Sequence, residues 1–193
     1  MIPNIDPDTI YVNSTQVDNR PMVYWQYKGQ FGTITVTEAR ERANAIFRAA
    51  AMASAEAAIV IGLTKDTKPK GFGQNKPSDE QLKMAARLLQ MLRDFQEPLP
   101  EKIAYIFGFH TQKPLIEVYW YGEKIQQEPD VMVHHAQSLI ECAEGAESDA
   151  FYYYFLQEKV GIDRKEALPL FKEFADFRDR NRLEELFKKG DRK

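Results

Sequence analysis

Two adjacent histidines are the residues of this chain whose types most directly suggest chemistry. His134 and His135 are followed seven residues later by Glu141 and Cys142, and all four residue types can bind a metal ion or exchange protons. Ligands that share one helix usually lie three or four residues apart, so that both reach the same ion. A spacing of seven residues separates them by about 10 Å along a helix axis. We therefore expect no metal site and no catalytic residue in this segment.

One alternative keeps the histidines in a functional role. His110 can approach His134 and His135 in the folded protein, because sites are assembled in space and not in sequence. The chain between Gln126 and Tyr154 contains six acidic residues and no lysine or arginine. A small enzyme or metal-dependent binding protein that uses the three histidines and this acidic second long helix is therefore the alternative. The absence of any recognisable catalytic motif favours a protein that is not an enzyme and has no cofactor.

The segment from Lys65 to Lys76 combines cations, two glycines and a phenylalanine. Lys68, Lys70 and Lys76 can contact phosphate, which makes a phosphate or nucleic-acid binder a further alternative. The order of residues is not that of a P-loop, in which glycine, lysine and serine or threonine are consecutive and follow a strand. The net charge of -3 and the pI near 5.7 argue against nucleic acid as a partner.

Aromatic residues are concentrated in three short runs, at 24–27, 119–121 and 151–155. The last run has five consecutive aromatics, which encircle a helix because each residue turns it by 100°. One core cannot cover all of them, and tyrosine suits an interface because its ring is apolar and its tip is polar. We therefore predict Tyr152, Tyr153 and Tyr154, together with Trp120, as partner-binding residues.

The elements that carry these residues can be predicted from turn formers, caps and periodicity. Strands are expected at residues 22–27, 103–109 and 115–121, with a further short strand possible at 33–36. Capping boxes at Thr35/Glu38 and Ser78/Gln81 predict the starts of two helices, the first alanine-rich and running to Leu63. A third helix is expected from Asp130 to between 156 and 160, and a last helical region from Asp163, interrupted or bent at Pro169.

A constant offset of 93 residues aligns residues 10–63 with 103–156. The alignment superposes proline, glycine, helix start and helix end in the same order, together with an alanine-rich helical stripe. We predict an α+β fold made by tandem duplication of a strand-strand-helix-helix unit, with the alanine-rich long helices packed together against an antiparallel sheet. The first repeat is expected to span residues 1–98 and the second 99–193, both fused in one compact body.

Composition and targeting signals narrow the class of protein. The single cysteine, Cys142, fits a reducing compartment. The first residues lack the basic and apolar blocks of a secretory signal, and the longest apolar stretch is too short for a membrane span. We expect a cytoplasmic, non-catalytic protein that binds another protein or itself, with no membrane association.

Overall fold

The computed structural model describes residues 10–18, 20–64, 78–94, 98–100, 102–108, 113–163, 165–174 and 176–177. The predicted α+β class is confirmed: two three-stranded antiparallel sheets accompany the helices. The chain divides into two compact units, Met1–Arg40 with Leu139–Lys193 (unit 1) and Glu41–Ser138 (unit 2). The two units are defined by contacts between residues, whereas the predicted repeats are defined by sequence similarity. The repeat boundaries at 1–98 and 99–193 therefore stay a prediction.

The first sheet lies in unit 1 and consists of β1 (Tyr11–Val17), β2 (Arg20–Tyr27) and β3 (Gln30–Thr35). β2 is the central strand and pairs antiparallel with both neighbours. Its turn to β3 has φ of 47° at Lys28 and 77° at Gly29, the left-handed pair that suits a two-residue hairpin. The sequence predicted β2 and offered a short strand at 33–36, which overlaps β3. β1 was not predicted, and with it the sheet is a three-stranded meander.

The second sheet lies in unit 2 and consists of β4 (Ile103–Gly108), β5 (Lys113–Trp120) and β6 (Glu123–Gln127). The strand order is β4-β5-β6, and both pairings are antiparallel. Tyr121 and Gly122 have φ of 49° and 93° and form the second left-handed hairpin turn. The predicted strands β4 and β5 are present, whereas β6 was not expected because it has only one apolar residue.

The first two helices begin where the capping boxes predict. α1 (Val36–Thr64) is preceded by Thr35, whose hydroxyl accepts a hydrogen bond from the Glu38 N–H, while Glu38 accepts one from the Thr35 N–H at 2.8 Å. α2 (Asp79–Asp94) begins with the same reciprocal pair between Ser78 and Gln81. Each box satisfies N–H groups that a helix start leaves unpaired.

α3 (Pro129–Phe155) continues into a single π-helical turn, Leu156–Val160, which ends at Gly161. Gly161 has φ of 75° and is left-handed, as helix ends favour for glycine. Asp163 then accepts hydrogen bonds from the N–H groups of Lys165 and Glu166 and starts a helical segment over residues 165–174, which we name α4. α4 runs through Pro169, so the helix is not interrupted there, and the alternative expectation of a bend stays a prediction.

The alanine-rich stripes of the two long helices are buried as their spacing predicts. Spacings of three and four residues place the stripe on one side of each helix. Its ten members are Ala43, Ile46, Ala50, Ala53 and Ala57 on α1, and Ala136, Leu139, Ala143, Ala146 and Ala150 on α3. Within unit 1, Arg40 near the start of α1 binds Glu147 of α3 in a bidentate ion pair, with one N–O distance of 2.9 Å.

Candidate functional site

The last turn of α3 exposes three aromatic rings on one side. Phe151 is 74% exposed, Tyr154 43% and Phe155 46%. Residues three and four apart are neighbours on a helix surface, so the three rings form a continuous patch, which we name the aromatic face. A single exposed apolar residue is ordinary, but a contiguous group of large ones marks an interaction surface.

The opposite side of the same turn is packed into the core of unit 1. Tyr153 is only 3% exposed and contacts Leu156 and Ala167. Its hydroxyl accepts a hydrogen bond from the Gln157 amide at 3.1 Å. Tyr152 stacks on Phe174 of α4 with ring centroids 4.4 Å apart. These contacts fix the rotation of the helix, so the aromatic face is presented on a rigid support.

The four predicted partner-binding residues therefore differ in their exposure to solvent. Tyr154 is exposed, Tyr152 is half-buried against Phe174, and Tyr153 and Trp120 are in the interior, with Trp120 only 1% exposed. Two neighbouring residues, Phe151 and Phe155, have fractional exposures as high as that of Tyr154 or higher and were not selected from the sequence. The signal for them was present, because extending the alanine stripe by three residues from Ala150 reaches Tyr153 and assigns it to the core.

Two exposed carboxylates flank the aromatic face along the helix, Glu144 and Glu158. From residue 127 to 160 the chain has seven acidic residues and one basic residue, Lys159. Glu144 and Glu158 are exposed, each seven residues from Phe151, or about 10 Å along the helix axis. Glu147 is paired with Arg40, whose guanidinium hydrogen bonds hold the pKa of that carboxyl below its usual value. The patch thus combines exposed rings with carboxylates on both sides.

The histidines do not form a metal site in the described part of the chain. His134 is exposed. His135 packs edge-to-face on Trp120, with centroids 5.7 Å apart, and its buried Nε2 has no hydrogen-bond partner among the described residues. Burial lowers the pKa of His135 to about 4, which keeps it neutral at pH 7. No group of three or more His, Cys, Asp or Glu side chains that could hold a metal occurs among the described residues, and His110 lies outside them.

A buried carboxylate connects three elements of unit 2. Glu56 of α1 is 1% exposed and accepts two hydrogen bonds from Arg93 of α2, at 2.7 and 2.8 Å. This pairing raises the pKa of Arg93 above its ordinary value. Arg93 also lies over the ring of Tyr105 in β4, at 5.4 Å. Burial, reinforced by the Glu56 carboxylate, raises the pKa of the Tyr105 phenol. The group is satisfied internally and holds α1, α2 and β4 together.

The remaining sequence predictions concern the lysine-rich segment, the cysteine and the apolar helix. The phosphate-binding candidates Lys68, Lys70 and Lys76 lie outside the described residues. Cys142, the single cysteine of the sequence, is half-buried. Within the described chain, one helix is long and apolar enough to cross a membrane, Val36–Leu63, and 39% of its most apolar window is buried inside the protein. Length and composition alone give weak support for a span, because core helices of globular proteins pass the same test.

Comparison with protein-family models, with curated proteins and with solved structures gives no match.

Proposed function

We propose that this protein is a cytoplasmic, non-catalytic protein-binding protein that recognises its partner through the aromatic face. The observation that carries the proposal is the exposure of Phe151, Tyr154 and Phe155 on one helix turn whose other side is locked in the core. Large aromatics that are held rigidly lose little entropy on binding and dominate the energetics of many interfaces.

A comparison within the chain supports a functional role for these rings. At the offset of 93 residues, Val60 corresponds to Tyr153, and both side chains are buried. The exposed neighbours differ: Ala58 and Gly62 stand where Phe151 and Phe155 stand in the second half. The buried position is apolar in both halves, but the exposed one carries large rings only in the second. Packing of the fold alone therefore gives no reason for the rings.

The same offset supports our proposal that the fold arose by tandem duplication. β2 and β5 are both eight residues long and begin 93 residues apart, as do α1 and α3. The left-handed hairpin turns at Lys28–Gly29 and Tyr121–Gly122 keep the same spacing. Under this proposal each repeat is a three-stranded meander followed by helices, and the second repeat acquired the aromatic face.

The charge around the face selects the class of partner. Glu144 and Glu158 lie about 10 Å to either side of Phe151 along the helix, and complementary charge increases both the rate and the specificity of association. We therefore propose a partner segment that is an amphipathic helix, with large aliphatic side chains on one side and lysine or arginine at its flanks. Such helices dock through apolar anchors repeated every three or four residues.

A synthetic peptide can test this partner class on the full-length chain. We expect a helical peptide of about five turns, with leucines on one side and lysines at the flanks, to bind in a fluorescence anisotropy titration. Phe151→Ala, which introduces the residue found in the first repeat, should weaken binding about tenfold or more, as loss of an interface anchor does. Phe31→Ala is the matched control, because Phe31 is 71% exposed but lies on β3.

Three results would contradict the proposal. Equal effects of Phe151→Ala and Phe31→Ala would indicate non-specific adsorption of the peptide. Equal binding of a peptide with glutamates in place of the lysines would refute the role of charge. Light scattering that shows a dimer in the wild type and a monomer in Phe151→Ala would replace the foreign partner by a second copy of this chain.

A further inference from the structure

A cavity of about 320 Å³ lies within unit 2, where the first turns of α1 face the start of β4 and the end of β5. Ile46, Ile103 and Val118 contribute apolar lining, and these three side chains are nearly inaccessible from outside. Glu41, Arg42 and Lys102 contribute the charged groups, with Pro100 and Tyr119 completing the lining. An apolar cavity with a few convergent polar groups is the usual form of a small-molecule site.

Arg42 is the charged group whose position is most informative. Its guanidinium lies over the ring of Trp120, 4.5 Å from the centroid, and 5.4 Å from that of Tyr121. Within the part of the chain that the structure describes, Arg42 has these ring contacts but no ion pair or hydrogen bond. A guanidinium that lies over aromatic rings still has N–H groups in its own plane, and these can match the two oxygens of a carboxylate. Its charge is therefore positioned but not neutralised.

In two other cavities of similar size, the cation that lines the cavity is already paired with a carboxylate. One, of about 340 Å³, is lined by Arg93, which is already bound to Glu56. The other, of about 420 Å³, is lined by Lys113, whose ammonium is paired with Glu128 at 2.6 Å. Among these three cavities, and counting only the residues that the structure describes, the one at Arg42 alone combines a deeply buried apolar lining with an arginine that has no carboxylate partner.

We propose that this cavity binds a small organic monoanion, in which a carboxylate is attached to a compact apolar body such as one aromatic ring. The carboxylate would pair with Arg42 and be attracted by Lys102, while the apolar body would occupy the cavity beside Pro100, Ile103 and Val118. Among the described lining residues the net charge is +1, since Arg42 and Lys102 stand against Glu41. Glu41 would repel a second carboxylate, which favours a monoanion over a dianion. The volume is at the small end of the range for ligand pockets.

Phenylacetate is a suitable probe, with phenylacetamide as its uncharged analogue and the dianion homophthalate as a test of charge selectivity. Binding to the full-length Trp25→Phe variant can be followed by fluorescence, because Trp120 is then the only tryptophan and contacts Arg42. We expect saturable binding of phenylacetate in the millimolar range or tighter, and about tenfold or more weaker binding of the other two compounds, since a charge-assisted contact is lost or opposed.

Variants separate the charge from the apolar lining. Arg42→Met retains an unbranched side chain and should weaken phenylacetate binding about tenfold or more. Arg87→Met, which removes an exposed arginine from α2, should have no effect. Val118→Phe should reduce binding by filling the cavity while leaving Arg42 in place. Far-UV circular dichroism verifies that each variant is folded, and saturation-transfer NMR gives a second measure of binding.

The outcomes distinguish this site from the aromatic face, which belongs to the other unit. Equal affinity for phenylacetate and phenylacetamide, or unchanged binding in a folded Arg42→Met variant, would overturn the proposal. Absence of saturable binding by the wild type would also overturn it. None of these results would affect the proposed protein-binding function, because its test depends on Phe151.

Discussion

The Glu56–Arg93 pair provides a prediction whose magnitude can be derived from the structure. Glu56 has a side chain that is 2% exposed, whereas that of Arg93 is 46% exposed. Arg93→Met would leave the carboxylate buried without its two charged donors. Removing one partner of a buried ion pair costs about 3–5 kcal/mol. Because Arg93 is near solvent, water can reach part of the site, and we expect a loss of about 2–3 kcal/mol in the free energy of unfolding.

The reverse substitution should cost less. Glu56→Gln keeps one oxygen that can accept a hydrogen bond from Arg93, and it leaves the uncompensated charge on the more exposed partner. We expect a loss of about 1–2 kcal/mol. Replacing both, as Glu56→Leu with Arg93→Met, should be less destabilising than the sum of the separate changes, because neither charge then remains without its counter-ion.

Urea denaturation followed by circular dichroism measures these differences from the midpoint and slope of unfolding. Arg87→Met is the matched control, since it makes the same substitution at an exposed arginine of the same helix. An Arg93→Met variant within about 0.5 kcal/mol of the wild type would refute the reasoning, because it would mean that solvent alone satisfies the Glu56 carboxylate.

Two further predictions concern the helices. Ala50→Leu or Ala143→Leu should overpack a buried stripe and lower the free energy of unfolding by about 1–3 kcal/mol. Ala55→Leu, at an exposed position of α1, should not lower it. Equal thermal melting temperatures of all three variants would contradict this packing. His135 has a pKa of about 4 in the folded protein, against an ordinary value of 6.5. As the pH falls, the unfolded state therefore binds the proton first. The free energy of unfolding should decrease between pH 6.5 and pH 4, by at most about 3 kcal/mol. Urea titrations at both pH values should show a smaller decrease for His135→Phe, and an equal decrease in the two proteins would refute this assignment.

The helices of this fold could be predicted from sequence because their signals are local. Both capping boxes form, and α1 begins one residue after Thr35. The strands were predicted only where apolar and aromatic residues are dense. β1 and β6 are rich in polar side chains, with Tyr11–Val17 and Glu123–Gln127 each containing few buried residues. Edge strands of this kind are held by pairing with their central neighbours, and a sequence pattern does not reveal a partner strand.

The aromatic face was only partly predictable for a related reason. Periodicity alone requires that some of residues 151–155 stay outside the core, but the choice among them depends on the phase of the helix. The phase is set by contacts of Tyr153 with Ala167 and Phe171, which lie beyond the π-helical turn. The alanine stripe carried the same information, and its extension assigns Tyr153 to the core and Phe151 and Phe155 to the surface.

The cavity at Arg42 had no local signal because its lining comes from separate parts of the chain. Ile46 of α1, Lys102 before β4 and Val118 of β5 contribute to it, and no spacing rule connects them. The position of the Arg42 guanidinium also depends on Trp120, over whose ring it lies. The sequence suggested Trp120 as a surface residue, but its side chain is buried. A tryptophan that orients a guanidinium has a role that neither residue implies alone. Substituting Trp120 should therefore alter anion binding through Arg42 and leave the aromatic face unchanged.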